Sequence, residues 1–435
     1  MDELAETQRM GRADLLAIGF GTTVAMWGIG YFSRMSPVVV SSRVLLVVML
    51  ACLVGGGFVA GRYAGRGWLG GLRTGALAGL LNLLVLGSVL GGDQPNQIGP
   101  SAFWWIPGSI LVAALAGAVG AAVGTCWKAD RQDPVNWTSA FAGVAAAATL
   151  ILLTVGAMVT SKQAGLSVPD WPNTFGYNMF LYPLSRMTGG IYYEHGHRLF
   201  GTLVGLTTVV LAIHLWVTDR RRSIKTAAAV AVVAVIAQGI LGGLRVTGHF
   251  TLSTSHADMA PNITIAMVHG ALGQLFFALL VALTVATSAT WVAGRRPAAV
   301  SAAATDRSLT VLLVVLLVVQ LVLGVILRHR YGAMVIHISM AVFVTVVAVA
   351  AGLRSWGLYD ERIVQRLGLT LIFLTGLQVL LGVGAFIATG ATAFVRPPPA
   401  PEVVLATAHQ VAGAVLLGWA VMLLLWHRRL FVGKL

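Results

Sequence analysis

Four histidines, His197, His269, His337 and His409, occupy comparable places in residues 133–435. Each lies near the start of an apolar run, in HGHRLFG, MVHGALGQ, IHISMAVF and TAHQVAGA. Histidine inside such a run is costly and as a rule functional. A neutral imidazole nitrogen is a metal ligand, and it is an axial ligand to haem iron. A b-type haem with two axial imidazoles takes one from each of two neighbouring helices. Four histidines therefore make two sites, pairing His197 with His269 and His337 with His409. A c-type attachment is excluded, since no Cys-x-x-Cys-His occurs. Zinc or copper suits the remote pairing less well, and residues 133–435 hold no cysteine. The plainer alternative is four helix-packing histidines bonded to backbone carbonyls, and their common register argues against it.

The register comes from an internal repeat. Gln238 opens QGILGGLRVTG with His269 31 residues later, and Gln378 opens QVLLGVGAFIATG with His409 31 residues later. Between them QLVLGVILRHRYG begins at Gln320 and precedes His337. A looser first unit places TVGAMVTSKQAGLS ahead of His197 across a long loop. The unit is a helix, an outer loop, and a helix with a histidine near its start, giving two four-helix halves.

The halves differ at one position. Glu194 stands three residues before His197, where the other units have Ala266, Met334 and Ala406. That spacing puts the carboxylate and imidazole on one helix face. A buried acid there can take a proton or stabilise positive charge, so the first half reads as the reacting site and the second as electron-handling. A plainer alternative is an interfacial carboxylate paired with Arg198. Arg198, Arg245, Arg328, Arg330 and Arg396 suit haem propionates, which guanidinium grips with two hydrogen bonds. His195, His249, His256 and His329 read as loop or interface residues, and His214 and His427 as remote from the sites. The loop 161–193 carries Trp171, Phe175, Tyr177, Tyr182, Tyr192 and Tyr193. It suits the membrane interface and can double as a lid.

The elements that position these residues are membrane spans. Of 435 residues, 57% are apolar and 10% charged, where a soluble domain carries about 25% charged. A spanning helix needs roughly 20 apolar residues. Twelve runs qualify: 15–33, 38–61, 72–91, 103–125, 137–159, 195–217, 226–246, 264–290, 308–327, 334–352, 367–389 and 403–427. They do not alternate, so strands are not expected. The opening MDELAETQRMGRAD is acidic as well as basic, so the first run is expected to be a retained helix. With both termini cytoplasmic, 20 of the 29 Lys and Arg fall inside and 9 outside, as the positive-inside rule requires. The net charge of +14 is thus topogenic and no sign of nucleic-acid binding. All four histidines then lie toward the outer face.

Residues 1–132 hold four spans, no histidine, and Gly/Ala-rich stretches suited to close helix packing. Their expected role is structural or auxiliary. Cys52 and Cys126 both fall here, and on this topology they do not pair. The expected parts are 1–132 as a four-helix membrane domain, 133–302 as a first core half, and 303–435 as a second.

Residues 140–427 resemble the haem A synthase family of cytochrome oxidase assembly, through SKQAGLSVPDWP, EHGHRLFGTLVG, MVHGALGQ, IHISMAVF and TAHQVAGA. The resemblance implies an all-α polytopic membrane protein with an eight-helix core of two pseudo-twofold bundles. It implies oxidation of the C8 methyl of haem O to a formyl group, giving haem A for terminal oxidases. The family's essential glutamate matches Glu194. His197 and His269 match the histidines around substrate haem O, and His337 and His409 match those that hold a haem b cofactor. Expected partners are lipid, haem O synthase, oxidase assembly factors and an electron acceptor, in a bacterial cytoplasmic membrane. The chain departs from the family in its four N-terminal spans and in lacking the outer-loop cysteine pair of some members. A diheme b-type electron-transfer protein that modifies no haem is the main alternative, and a transporter built on repeats is a third.

Overall fold

The computed structural model describes residues 2–90, 94–127, 135–247, 263–294, 296–330, 333–391 and 397–433. Thirteen α-helices are named among them, and 12 are long and apolar enough to cross a membrane. In chain order they run α1 (Asp2–Arg34), α2 (Ser42–Tyr63), α3 (Gly67–Leu90), α4 (Ala102–Cys126), α5 (Trp137–Ser161), α6 (Gly189–Thr218) and α7 (Arg222–Thr247). There follow α8 (Ile263–Ala286), the short α9 (Ala289–Val292), α10 (Ala303–Arg330), α11 (Met334–Gly357), α12 (Arg362–Ala391) and α13 (Ala400–Leu430). All twelve expected spans are present, and the protein is an all-α polytopic membrane protein.

The helices mostly outrun their apolar stretches, because backbone bonding does not stop where hydrophobicity does. α6 opens at Gly189, whose φ of +54° suits glycine. Glu194 and His197 therefore lie in its second and third turns. α8 ends at Ala286 although the apolar run continues to about residue 290. There Thr287 bonds back to the Leu283 carbonyl and the Ser288 hydroxyl caps the Trp291 N–H, starting α9.

The chain forms two compact units, residues 1–152 with 168–232, and residues 153–167 with 233–435. In the first, α2, α3 and α4 pack backbone against backbone. A Cβ on Gly57, Gly71 or Gly75 would strike a carbonyl oxygen of α4, that of Gly117 or Ala113. Small residues at helical spacing allow this approach. α1 packs on α2 and α3, and Phe20, Trp27 and Tyr31 carry its contacts to Phe141 of α5 and Phe200 of α6. Cys52 and Cys126 are free thiols.

In the second unit, α10 packs on α11, α11 on α12, α12 on α13, and α13 on α10, closing a four-helix ring. Leu313, Leu371, Leu416 and Leu423 fill its core. α8 lies along α13, where Gly418 faces Phe277 and Val281. One strand pairing departs from expectation: β1 (Ala298–Ala299) runs parallel to β2 (Phe431–Val432). It joins the segment before α10 to the end of α13.

Beside this clip Asp306, 1% exposed, accepts hydrogen bonds from Arg354 and from the Tyr359 hydroxyl, the latter at 2.7 Å. Burial first, and then the bond to Asp306, raise the Tyr359 phenol above its ordinary 10.0. Its stabilisation is whole below pH 10.0 and is lost as the pH climbs from there toward the folded value. Thermal unfolding from pH 8 to 11 is expected to show a loss of stability at the alkaline end that is smaller in Tyr359→Phe.

Candidate functional site

An α-helical carbonyl at position i bonds the N–H at i+4, so its free lone pair opens past the side chain at i+4. A ring can reach that lone pair from the side only where i+4 has no Cβ. The repeated Gln-x-x-x-Gly meets this condition. His409 of α13 stands with Nδ1 3.2 Å from the Gln378 carbonyl of α12. A Cβ on Gly382, four residues on, would lie 2.9 Å from His409 Cε1. Gly324 of α10 faces His337 Cε1 in the same way at 3.1 Å, and Gly242 of α7 faces His269 Cε1 at 3.6 Å.

The contact is reciprocal. Gln320 Nε2 donates to the His337 carbonyl at 3.0 Å and lies 3.3 Å from His337 Nε2. The Gln238 amide, with oxygen and nitrogen assigned by their neighbours, donates to the His269 carbonyl at 3.2 Å and to Nδ1 at 2.8 Å. Its oxygen accepts from the Gly273 N–H at 3.2 Å. Gln378 Nε2 lies 3.2 Å from where Gly413 would carry a Cβ. Gly273 and Gly413 each stand four residues after a histidine. The α12–α13 pair is thus tied by an imidazole, and the α10–α11 and α7–α8 pairs by an amide. In the first repeat Gly156 and Gly201 persist at the matching places, and Leu152 replaces the glutamine.

In the ring α10–α13 the two histidine helices are diagonal, and the glutamine helices form the other diagonal. His337 and His409 face each other with ring centroids 6.4 Å apart and planes at 79°. Two imidazoles on one metal, with nitrogen–metal bonds of ~2.0 Å and a further ~1.1 Å to each ring centre, put the centroids ~6.2 Å apart. The pair has the spacing of two axial ligands. The Gln378 carbonyl accepts from His409 Nδ1–H, which leaves Nε2 with the lone pair a metal needs.

In the first unit Glu194 is 4% exposed. One carboxylate oxygen accepts from the Val168 N–H at 2.9 Å, and the other from Arg198 at 3.0 Å. Arg198 also donates to the carbonyls of Val168 (3.0 Å), Asp170 (2.6 Å) and Asn173 (2.9 Å). These four bonds occupy its two terminal nitrogens, so a propionate would compete with the loop for them. His195, fully buried, pairs its Nδ1 with the Thr174 hydroxyl at 3.0 Å and packs on Tyr182. Tyr177 and Tyr182 turn inward while Trp171 and Phe175 stay exposed. Residues 168–188 thus form an ordered cap over the outer turns of α6.

His197 and His269 belong to different compact units, and each is described within its own. Arg245 lies three residues beyond Gly242 with its guanidinium over Gly165. Arg328, four residues beyond Gly324, donates to the Thr160 carbonyl at 3.1 Å. Arg396, His249 and His256 lie outside the described residues, and for Arg330 only the backbone is described. His214 pairs with Thr138 at 3.0 Å, seventeen residues and about 25 Å along α6 from His197. His427 pairs with Ser355 at 3.2 Å beside Tyr359. Sequence reasoning missed the Val168 N–H, Thr174 and Tyr31, which no motif marks. The glycine four residues after each repeated glutamine was in view as a repeat signature, and its spacing could have revealed the cradle.

Twelve apolar helices, with His269, His337 and His409 each packed against a glycine of a neighbouring helix, define an all-α polytopic membrane protein. Residues 139–338 match the family model described as cytochrome oxidase assembly protein, COX15-CtaA. That stretch contains Glu194, His197, His269 and His337, and stops before His409. No curated protein matches the chain.

Arg198→Leu would leave the Glu194 carboxylate buried with its cation removed. Breaking such a pair costs about 3–5 kcal/mol. Limited proteolysis of the membrane-embedded chain is expected to cut residues 168–188 in this variant and to spare them in the parent.

Proposed function

We propose that the chain is a haem A synthase, which oxidises the C8 methyl of haem O to a formyl group and so supplies haem A to terminal oxidases. The observation that carries the reading is the His337–His409 ring pair at ligand spacing, seated over Gly324 and Gly382. The residues fit a haem b: His337 and His409 would hold its iron, and Arg328 and, by its place in the sequence, Arg330 would be partners for its propionates. When bound, that group relays electrons. His197 and His269, with Arg245, hold the haem O substrate in the first half, and Glu194 faces its reacting edge.

Methyl to formyl takes one water and releases four protons and four electrons to a separate acceptor. Positive character develops on a carbon conjugated with the macrocycle, and a carboxylate beside it stabilises that charge and accepts protons. Arg198 and the Val168 N–H hold the Glu194 carboxyl fixed in direction. The cap 168–188 keeps bulk water from α6's outer turns. By the positive-inside bias the sites face the outer side of a bacterial cytoplasmic membrane, with both termini inside. Haem O synthase, oxidase assembly factors and lipid are the proposed partners.

The Glu194–Arg198 pair also favours a second reading, in which Glu194 only ties down the loop and the chain carries electrons between two haems. Extraction and chromatography of haems from cells making Glu194→Gln separates the two. The synthase reading expects haem O to accumulate with haem A lost by at least ~100-fold, and undiminished haem A would sink it. His409→Ala and Gly382→Val are expected to remove the bis-imidazole haem b spectrum from purified protein and to leave first-half haem in place.

A further inference from the structure

The matched family region begins at residue 139, yet the outer turns of α6 are packed by residues that precede it. Tyr31, near the end of α1, lies against Gly196, between His195 and His197. A Cβ on Gly196 would fall 2.6 Å from Tyr31 Cε2. The ring has little freedom to yield. It stacks on Tyr192 at 4.8 Å and meets Phe200 edge-on at 5.6 Å. The Tyr192 hydroxyl donates to the Tyr31 carbonyl, which ties the two helices at the same level. Among the described residues the Tyr31 hydroxyl has no hydrogen-bond partner, so the contact is made by the ring.

A second contact reaches the cap. The Ser88 hydroxyl of α3 donates to the Phe180 carbonyl at 3.3 Å, and Gly87 beside it faces the same carbonyl. Asn96, between α3 and α4, accepts from the Asn178 N–H at 2.7 Å. The cap that supplies the Val168 N–H to Glu194 is therefore held by α6 on one side and by the N-terminal helices on the other.

We propose that the four N-terminal helices are a built-in clamp for the reacting half: the Tyr31–Gly196 interlock sets the outer turns of α6, and the end of α3 sets the loop that fixes Glu194. Tyr31 is a positioning residue, and Glu194 is the group it positions. The inference rests on the proposed role of Glu194 for its catalytic consequence, and its structural content stands apart from that role.

The test uses the full chain in lipid nanodiscs. Hydrogen exchange of peptides covering 168–183 is expected to speed up about tenfold or more in Tyr31→Ala and to stay unchanged in Tyr31→Phe, because local opening follows the packing that is lost. Asn96→Ala, at an exposed position, is expected to speed exchange around Asn178 without disturbing helix packing. It keeps the test open if Tyr31→Ala does not accumulate. In haem O conversion, Gly196→Ala is expected to lower turnover and Gly196→Ala/Tyr31→Ala to recover part of it, since removing the ring admits the added methyl. Unchanged exchange in both Tyr31→Ala and Asn96→Ala, or strictly additive effects at 31 and 196, would overturn the clamp. A parent chain that converts no haem O would defeat the synthase reading alone, and the exchange measurement would still decide this one.

Discussion

An imidazole can bond a neighbouring helix's backbone only where that helix offers an open carbonyl, and a Cβ four residues on closes it. This steric rule governs the histidine-bearing half of the protein. It explains why the repeat pairs a glutamine with a glycine at i+4. The backbone carbonyl of the first is the acceptor, and the second uncovers it. The glutamine side chain then reaches the opposite way, to the carbonyl of the histidine residue. Burying polar groups among apolar spans is costly unless they are bonded. The glutamine–histidine bonds meet part of that need and tie each histidine to the facing helix. Rings fixed in this way can stand 6.4 Å apart on diagonal helices and wait for a ligand without collapsing onto each other.

The same rule separates the two halves. The second half carries one imidazole–carbonyl bond and one amide–carbonyl bond, and no acid three residues before its histidines. The first half keeps its glycines, loses one glutamine to Leu152, and gains Glu194 with a loop built around it. Rigid ligation suits a group that only passes electrons. A reacting site needs a group that handles protons, and in the proposed function Glu194, a carboxyl under a cap, is that group. Arg198 contributes less as a charge partner than as a fourfold donor that gathers loop carbonyls around the acid. That arrangement supplies the buried Glu194 carboxyl with a cation and a backbone donor, in a place where an isolated carboxylate would be costly.

Much of the architecture was legible in the chain. Hydropathy located all twelve spans because lipid leaves the backbone no alternative to helix over those lengths. The ends were less clear, as at α6, whose first turn is Gly-Gly-Ile-Tyr and carries little hydrophobic signal. The four histidines stood out through the repeat. Their seating did not, because it depends on which helix face meets which, and hydropathy is blind to that among spans apolar all round. The loop 168–188 was legible only as aromatic. Its bonds to Glu194 and Arg198 join residues many positions apart through backbone groups, which leave no trace in residue type, and its bond to His195 comes from the hydroxyl of Thr174, which no spacing marks.

Gly196 shows how such a case resolves. Within Glu-His-Gly-His-Arg it reads as a small residue between two histidines, and the motif itself gives no cause for it. The cause is Tyr31, 165 residues earlier in the chain, whose ring occupies the space a side chain would need. A constraint on the best-marked motif of the protein thus originates in the segment with the fewest chemical features. Helices rich in glycine and alanine carry little chemistry because their function is approach: they let α2, α3 and α4 pack tightly. That packing gives α1 and the end of α3 a firm base from which to hold a reacting helix. Stiffness at the carboxylate is therefore a property of the whole first unit, and the N-terminal helices belong to the site as much as the motif does.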